Sequence, residues 1–293
     1  MKSKWAIGVL LAAAVAGLGV CSGAIAAQTS GLIPHGPRDV RIDPPRQPEY
    51  QPSPDVVMSV SASLTWYGQS FFVVTSRSGA RIALDPYHVQ DGIKYSPPDV
   101  KADAVFLSHE HFDHNNVGLL KGHPKLIAPL SKADWASLAK GTRSGTLQIV
   151  LSKFPYRSVF SYHDASGGKE RGTNTINVIT VDGVKIAHLG DLGAPLSKDQ
   201  VKEVGRVDIL LVPVGGTFTI DAAGATEVVQ QLKPKVVIPM HYKTPKISIP
   251  LAGVEPFLKG KKNVTRNGDT YSFTKDSLPA KTTIVVLKYR ERA

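Results

Sequence analysis

A chain of 293 residues with 42% hydrophobic and 20% charged content has the make-up of an ordinary globular protein. It can bury a sizeable core. Cys21 is its only cysteine, and a mature chain cut after Ala26 would have none, so neither a disulfide nor a thiolate metal ligand is expected. The formal charge of +11 favours anionic partners but names none, since no long basic block occurs and Lys261-Lys262 is only a pair.

Lys2 and Lys4 precede an apolar stretch from Trp5 to about Val20, and small residues follow from Ser22 to Ala27. That order predicts a signal peptide over 1–27, cleaved after Ala26 or Ala27, and a periplasmic or secreted mature chain. Two lysines and no acid leave with it, taking the charge from +11 to +9. If it is retained, Trp5–Ala27 is nearly long enough to anchor in a membrane. Leu18-Gly19-Val20-Cys21 loosely resembles a lipoprotein acylation site, with bulky Val20 where a small residue belongs. Residues 28–55 hold seven prolines and predict a linker or surface strap. The folded domain is expected over 56–293.

From Val56 onward short apolar runs rich in Val, Ile, Thr and aromatics predict strands. They are 57–66, 71–75, 81–84, 104–107, 159–162, 175–180, 184–188, 208–212, 235–239, 270–273 and 282–287. Asp182-Gly183 between two of them is a hairpin signal. Helices are expected over 116–120, 131–139, 196–204, 222–232 and 254–258, with Ser131 and Asp221 as caps. Hairpins followed by strand–helix alternation predict an α/β or α+β layered domain.

The strand over 104–107 runs into Ser108-His109-Glu110-His111-Phe112-Asp113-His114, which places three histidines and an aspartate within six positions. Imidazole nitrogens and carboxylate oxygens are ligands for zinc, manganese or iron. His109 and His111, two apart in extended chain, point the same way and can grip one ion. Asp113 and His114, at the following bend, can reach a second. A zincin helix His-Glu-x-x-His is excluded because position 113 is Asp and the segment follows a strand.

Three more strands end in the same manner, before His163-Asp164, before His188-Leu189-Gly190-Asp191 and before His241. Taken singly, His163 and His241 read as structural histidines and Asp191 as a turn residue. Four strand ends sharing one edge would make them converge. His188 reads as a support that orients Asp191, and Asp164 as one for His163. His35, His88 and His123 carry no assignment.

With these residues in view, the chain resembles the metallo-β-lactamase superfamily over about 57–290. The match is His109 to His114 for the H-x-H-x-D-H motif, then His163, Asp191 and His241 in order. Leu64 to Ser70, Leu84-Asp85-Pro86, Arg171-Gly172-Thr173-Asn174 and Pro239-Met240-His241-Tyr242 bring it nearer to the small bacterial metal-dependent hydrolases that include ascorbate-6-phosphate lactonase-like proteins. Gln69 departs from the His that relatives often carry there. The resemblance implies a four-layer αββα sandwich with its site at one edge of two facing sheets. It also implies two divalent metal ions, zinc or else manganese or iron. His109, His111 and His163 would hold one ion, Asp113, His114 and His241 the other, and Asp191 would bridge them.

The expected chemistry is hydrolysis by a metal-bridging hydroxide, with ions about 3.5–4 Å apart lowering the water pKa towards roughly 7. Asp113 and Asp191 are the candidate catalytic carboxylates, and no Gly-x-Ser-x-Gly elbow offers a side-chain nucleophile. Arg171 and Lys243, just beyond ligand segments, are candidate contacts for an anionic substrate, and Gly215-Gly216-Thr217 a pocket loop. The leading expectation is an exported hydrolase of a small-molecule ester, lactone or phosphodiester. Alternatives are a phospholipase- or nuclease-like phosphodiesterase, a β-lactamase, and a non-enzymatic metal-binding protein on this fold. No specific nucleic acid is expected, and a membrane only if the N-terminal segment stays attached.

Overall fold

The computed structural model describes residues 60–138, 141–149 and 152–291. The expected signal peptide over 1–27, the strap over 28–55, Cys21 and His35 lie outside the described residues. In chain order the strands are β1 (Ala62–Trp66), β2 (Phe72–Thr75), β3 (Arg81–Leu84), β4 (Val100–Lys101), β5 (Ala104–Phe106), β6 (Leu120–Lys121), β7 (Lys125–Ile127) and β8 (Thr142–Ile149). They continue with β9 (Ser152–Tyr162), β10 (Thr173–Val181), β11 (Val184–His188), β12 (Ile209–Pro213), β13 (Val236–Met240), β14 (Val264–Arg266), β15 (Thr270–Phe273) and β16 (Thr283–Val286). The helices are α1 (Lys132–Ser137), α2 (Lys198–Val204), α3 (Ala222–Leu232) and α4 (Glu255–Leu258). No described helix is long and apolar enough to cross a membrane.

One sheet runs β15-β1-β2-β3-β5-β7, a second β14-β16-β13-β12-β11-β10-β9-β8, and β4 pairs with β6 in a small third. Period-two alternation sets the faces of the first. Leu64, Trp66, Phe72, Val74, Ile82, Leu84 and Phe106 share one core with Ile176, Ile186, Leu211 and Val237 of the second sheet, so the two sheets face each other. Val73, Ala83 and Val105 point the opposite way, into a second cluster with Phe71, Tyr87 and Tyr95. β12 and β13 are buried along their whole length, as parallel strands covered on both faces must be. Helix α3 supplies that cover through Ala225, Val228 and Leu232, with α4 packed on α3 and α2 on β9.

The layered αββα expectation holds, with one outer layer thin. Over the six-stranded sheet lie irregular chain and a 3-10 turn at Val117–Leu119, where a short helix is expected from sequence. Asp182 and Gly183, both with positive φ, form the β10–β11 hairpin turn. The Asp221 carboxylate caps α3 by accepting from the Ala223 and Gly224 amides, and Ser131 caps α1 in a capping box with Asp134.

Strand direction fixes where the ends meet. β3, β5 and β7 are parallel, as are β11, β12, β13 and β16. β9 and β11 both run antiparallel to β10, so β9 ends on the same edge as β11. Ser108–His114, His163, Asp191 and His241 all follow strands that end on that side.

Candidate metal centre

The seven predicted ligand residues come together. His109, His111 and His163 form one group, and Asp113, His114, Asp191 and His241 another. Within each group the ligating atoms lie within 4.8 Å of one another. Asp191 stands between them. Its Oδ2 is 3.1 Å from His163 Nε2 and 3.3 Å from His241 Nε2, and its Oδ1 is 3.2 Å from His114 Nε2. Asp113 Oδ2 lies 3.4 Å from His114 Nε2 and 3.7 Å from His241 Nε2. His109 Nε2 and His111 Nδ1 are 3.1 Å apart. Two nitrogens on one tetrahedral zinc, each about 2.0–2.1 Å from it, stand at a similar distance.

A third group pairs Asp85 with His109 and His114, but its carboxylate is already committed. Asp85 Oδ1 accepts from the Ser108 amide at 2.7 Å, and Oδ2 from Ser108 Oγ at 2.5 Å and His114 Nδ1 at 2.7 Å. With its proton given to Asp85, Ser108 Oγ accepts from His109 Nδ1 at 2.8 Å. One buried carboxylate thus leaves the Nε2 lone pairs of both His109 and His114 facing the cluster. Carboxylate–histidine pairs behind metal sites do the same.

Other supports also come from distant chain. Gln69 Nε2 donates to Asp113 Oδ2 at 3.0 Å, so Gln69 contacts the site. Asn174 Oδ1 accepts from the Asp191 amide at 3.0 Å while its amide nitrogen donates to Leu189 O. A Cβ at Gly190 would overlap Asn174 Oδ1 and Ser108 Cβ, so the turn carrying Asp191 needs glycine there. His188 donates from Nε2 to Ser70 O and accepts at Nδ1 from the Gly190 amide; it braces the turn rather than the Asp191 carboxylate. Gln69, Asp85 and His241 all hold positive φ without being glycine, a strained geometry that gathers at functional sites.

Burial opposes charge on Asp113 and Asp191, but neighbouring rings, His114 first, hold both carboxyls below their ordinary range. Burial likewise disfavours charge on His114 and His241. Asp191 overrides it, raising His114 well above the usual imidazole value and His241 to about 9. His109 goes the other way, driven down by burial and by the neighbouring His114. The centre therefore draws positive charge onto ring nitrogens that a metal would occupy, and protons compete with cations there. His114 Nε2 and Asp191 Oδ1 are fully buried with no hydrogen-bond partner. Orphaned donor atoms of that chemistry, aimed at one point, fit divalent cations.

A cavity opens beside His163, lined also by Arg171, Thr217 and Phe218. Thr217 of the expected pocket loop therefore reaches it. Lys243 points elsewhere: its Nζ donates to Ile249 O at 3.1 Å, and it does not line that cavity. The Asp164 carboxylate accepts from the Ser166, Gly168, Glu170 and Arg171 amides, so it organises the following loop rather than the His163 ring.

Comparison with known proteins agrees with this architecture. The family described as Beta-lactamase superfamily domain matches residues 63–241. The chain is 29% identical over 244 residues to an Archaeoglobus fulgidus protein named UPF0173 metal-dependent hydrolase, covering 72% of this chain and 99% of that one. A protein of the same name from Anaeromyxobacter sp. is 31% identical over 229 residues, covering 69% and 82%. Among solved structures, a candidate Zn-dependent hydrolase of the metallo-β-lactamase superfamily from Thermotoga maritima is similar, with 33% identity and a TM-score of 0.59. That match covers 77% of this chain and 98% of the other.

Proposed function

Because the chain belongs to the metallo-β-lactamase superfamily, and within it to the metal-dependent hydrolases, we propose that it is an exported binuclear hydrolase of a small-molecule ester, lactone or phosphodiester. The observation that carries the binuclear reading is the Asp191 carboxylate set between two ligand groups, within 3.3 Å of His163, His114 and His241. His109, His111 and His163 would hold one cation and Asp113, His114 and His241 the other, with Asp191 touching both. Zinc is the first choice, in keeping with the description of the Thermotoga relative. Manganese and iron suit the same nitrogen–oxygen set. Export rests on Lys2, Lys4 and the apolar run that follows them.

Cations held here would supply Lewis-acid polarisation of a substrate oxygen and a water acidified from about 15.7 towards 7. The chain's own residues do the positioning. Asp85 fixes the His114 ring directly and the His109 ring through Ser108 before substrate arrives. Gln69 keeps Asp113 Oδ2 turned inward. Of the two carboxylates, Asp113 is the more accessible, at 11% side-chain exposure against 3% for Asp191. Both are mainly ligands, and Asp113 is the one placed to pass a proton out late in the cycle. His111 is the exposed member of its group, so the centre opens on that side.

Stripping the purified full chain with a chelator and adding back Zn, Mn or Fe tests this reading on a panel of lactones, aryl esters, phosphodiesters and β-lactams. Turnover of at least one ester, lactone or phosphodiester should vanish on stripping and return with metal. Turnover that survives chelation, or none with any metal, would contradict it.

A further inference from the structure

The cavity beside His163 has a volume of about 370 Å³, room for a small molecule rather than a polymer. Its wall is the loop 164–171, and that loop is built around one carboxylate. Asp164 accepts five hydrogen bonds: from the Ser166 amide (2.9 Å), Ser166 Oγ (2.7 Å) and the amides of Gly168 (2.8 Å), Glu170 (3.1 Å) and Arg171 (2.8 Å). Gly168 sits at φ +75°, and a Cβ there would overlap Gly172 O and the Tyr162 ring. The backbone that carries Arg171 is therefore fixed, and fixed immediately after a ligand-type histidine.

The Arg171 side chain is held as well. Its guanidinium lies over the Phe218 ring, 5.7 Å from the centroid, and NH1 is 3.3 Å from Glu170 Oε2. No other hydrogen bond uses its remaining N–H groups among the described residues. The neighbouring hydroxyls are committed: Thr217 Oγ1 donates to Pro250 O, Thr219 Oγ1 to Ile220 O and Ser166 Oγ to Asp164. Lys243, the other cation expected near substrate, is turned away to Ile249 O. With Asp164 committed to its loop, that leaves the Arg171 fork of N–H donors, with the Glu170 carboxylate beside it, as the charged groups that face this cavity among the described residues. Glu170 competes for the fork, but its side chain is 62% exposed and Arg171's is 33% exposed. Such an exposed pair contributes little and yields readily to a better-placed oxyanion.

We infer that Arg171 anchors an oxyanion group of the substrate, a carboxylate or phosphate on the same small molecule whose scissile bond reaches the histidine–aspartate centre. This deepens the hydrolase reading and rests on it for the reaction, though not for the binding. Arg171 acts as a specificity residue: it holds a group remote from the bond that breaks, and a guanidinium fork suits such a group better than a lysine would.

Two measurements test it. The first is calorimetric binding of benzenesulfonate, an oxyanion that coordinates metals poorly, to the purified full chain. Arg171→Met should weaken binding by about tenfold or more, as expected when a charge-assisted hydrogen-bond partner is lost. Glu170→Gln should tighten it, and Lys259→Met on a remote surface should leave it unchanged. Equal affinity in wild type and R171M overturns the inference whatever the enzyme hydrolyses. The second measurement compares mono-4-nitrophenyl succinate with 4-nitrophenyl acetate, which share a leaving group. In R171M, kcat/KM should fall by about ten- to a hundredfold for the anionic ester and by less than about twofold for the neutral one. An equal fall on both esters would overturn the specificity role. If neither ester is turned over while sulfonate binding still depends on Arg171, the anion site stands and the scissile bond is sought among the lactones and phosphodiesters of the panel.

Discussion

Asp191→Asn should lower kcat by about 10³-fold or more while the protein stays folded. The change keeps the shape of the side chain and removes the charge that lies between His163, His114 and His241. The backbone of residue 191 remains tied to Asn174 Oδ1, so the Gly190–Asp191 turn is not released. An asparagine amide can donate to a neutral imidazole nitrogen, so the buried rings keep a partner and the far-UV circular dichroism should not change. What is lost is the carboxylate set between the two ligand groups. Turnover of the identified ester, lactone or phosphodiester should collapse, and metal content should fall with it. Full activity in Asp191→Asn would show that no pair of cations is bridged here.

The second large effect belongs to a residue that would not itself touch metal. Asp85→Ala takes the acceptor away from three buried donors at once: the Ser108 amide, Ser108 Oγ and His114 Nδ1. Water cannot replace it easily, because Asp85 is 1% exposed and Ser108 and His114 are fully buried. Leaving buried donors unsatisfied should cost about 3 kcal/mol or more of stability, read as a lower urea midpoint. Freed to rotate, the His109 and His114 rings should bind metal about 10–100-fold more weakly, read by competition with a chromophoric chelator. Asp85→Asn separates the two effects. Asparagine tolerates the φ of +47° at this position and keeps an acceptor for the Ser108 amide. It should recover much of the stability but not the metal affinity. Unchanged affinity in both variants would mean that the Asp85 network plays no part in ordering the centre.

The contrast between Asp191 and Asp85 shows what sequence can reveal. His109 to His114 stand in one short window after an apolar strand, and His163, Asp191 and His241 each follow a strand of their own. Ligand chemistry and position were both written locally, and parallel strand order did the rest. Asp85, Gln69 and Asn174 carry no such mark. Each is a single polar residue whose partner lies 17–44 positions away, and no periodicity signals one hydrogen bond across that distance. Sequence marks Asp85 only through Leu84-Asp85-Pro86, one of the segments that resemble the small metal-dependent hydrolases. Asp164 and His188 were legible as supports near the centre, but not what they support: five hydrogen bonds show Asp164 to be the peg of a loop, and two show His188 to be the brace of a turn.

The same limit explains the strands that went unread. β8, at the edge of its sheet, mixes Arg, Ser, Gly and Gln with few apolar residues, because much of its surface faces solvent. β9 carries Pro155 in its first half, which argues against a strand. That proline pairs only with β8, beyond the end of the β9–β10 ladder, so its missing N–H removes nothing from β10. β7 and β14 are three residues each, too short for an alternation to register. The αββα order was legible because its central strands are continuous apolar runs. The thin layer over the six-stranded sheet was not, since it is made from turns and irregular chain.

The proposed function rests on seven side chains holding two cations. Metal analysis of the full chain, after equilibration with zinc, manganese or iron and removal of unbound ions, tests that most directly. Wild type should hold two ions per chain, and fewer when His163 or His241 is replaced by Ala. A folded protein that retains no metal from any of the three solutions would contradict it.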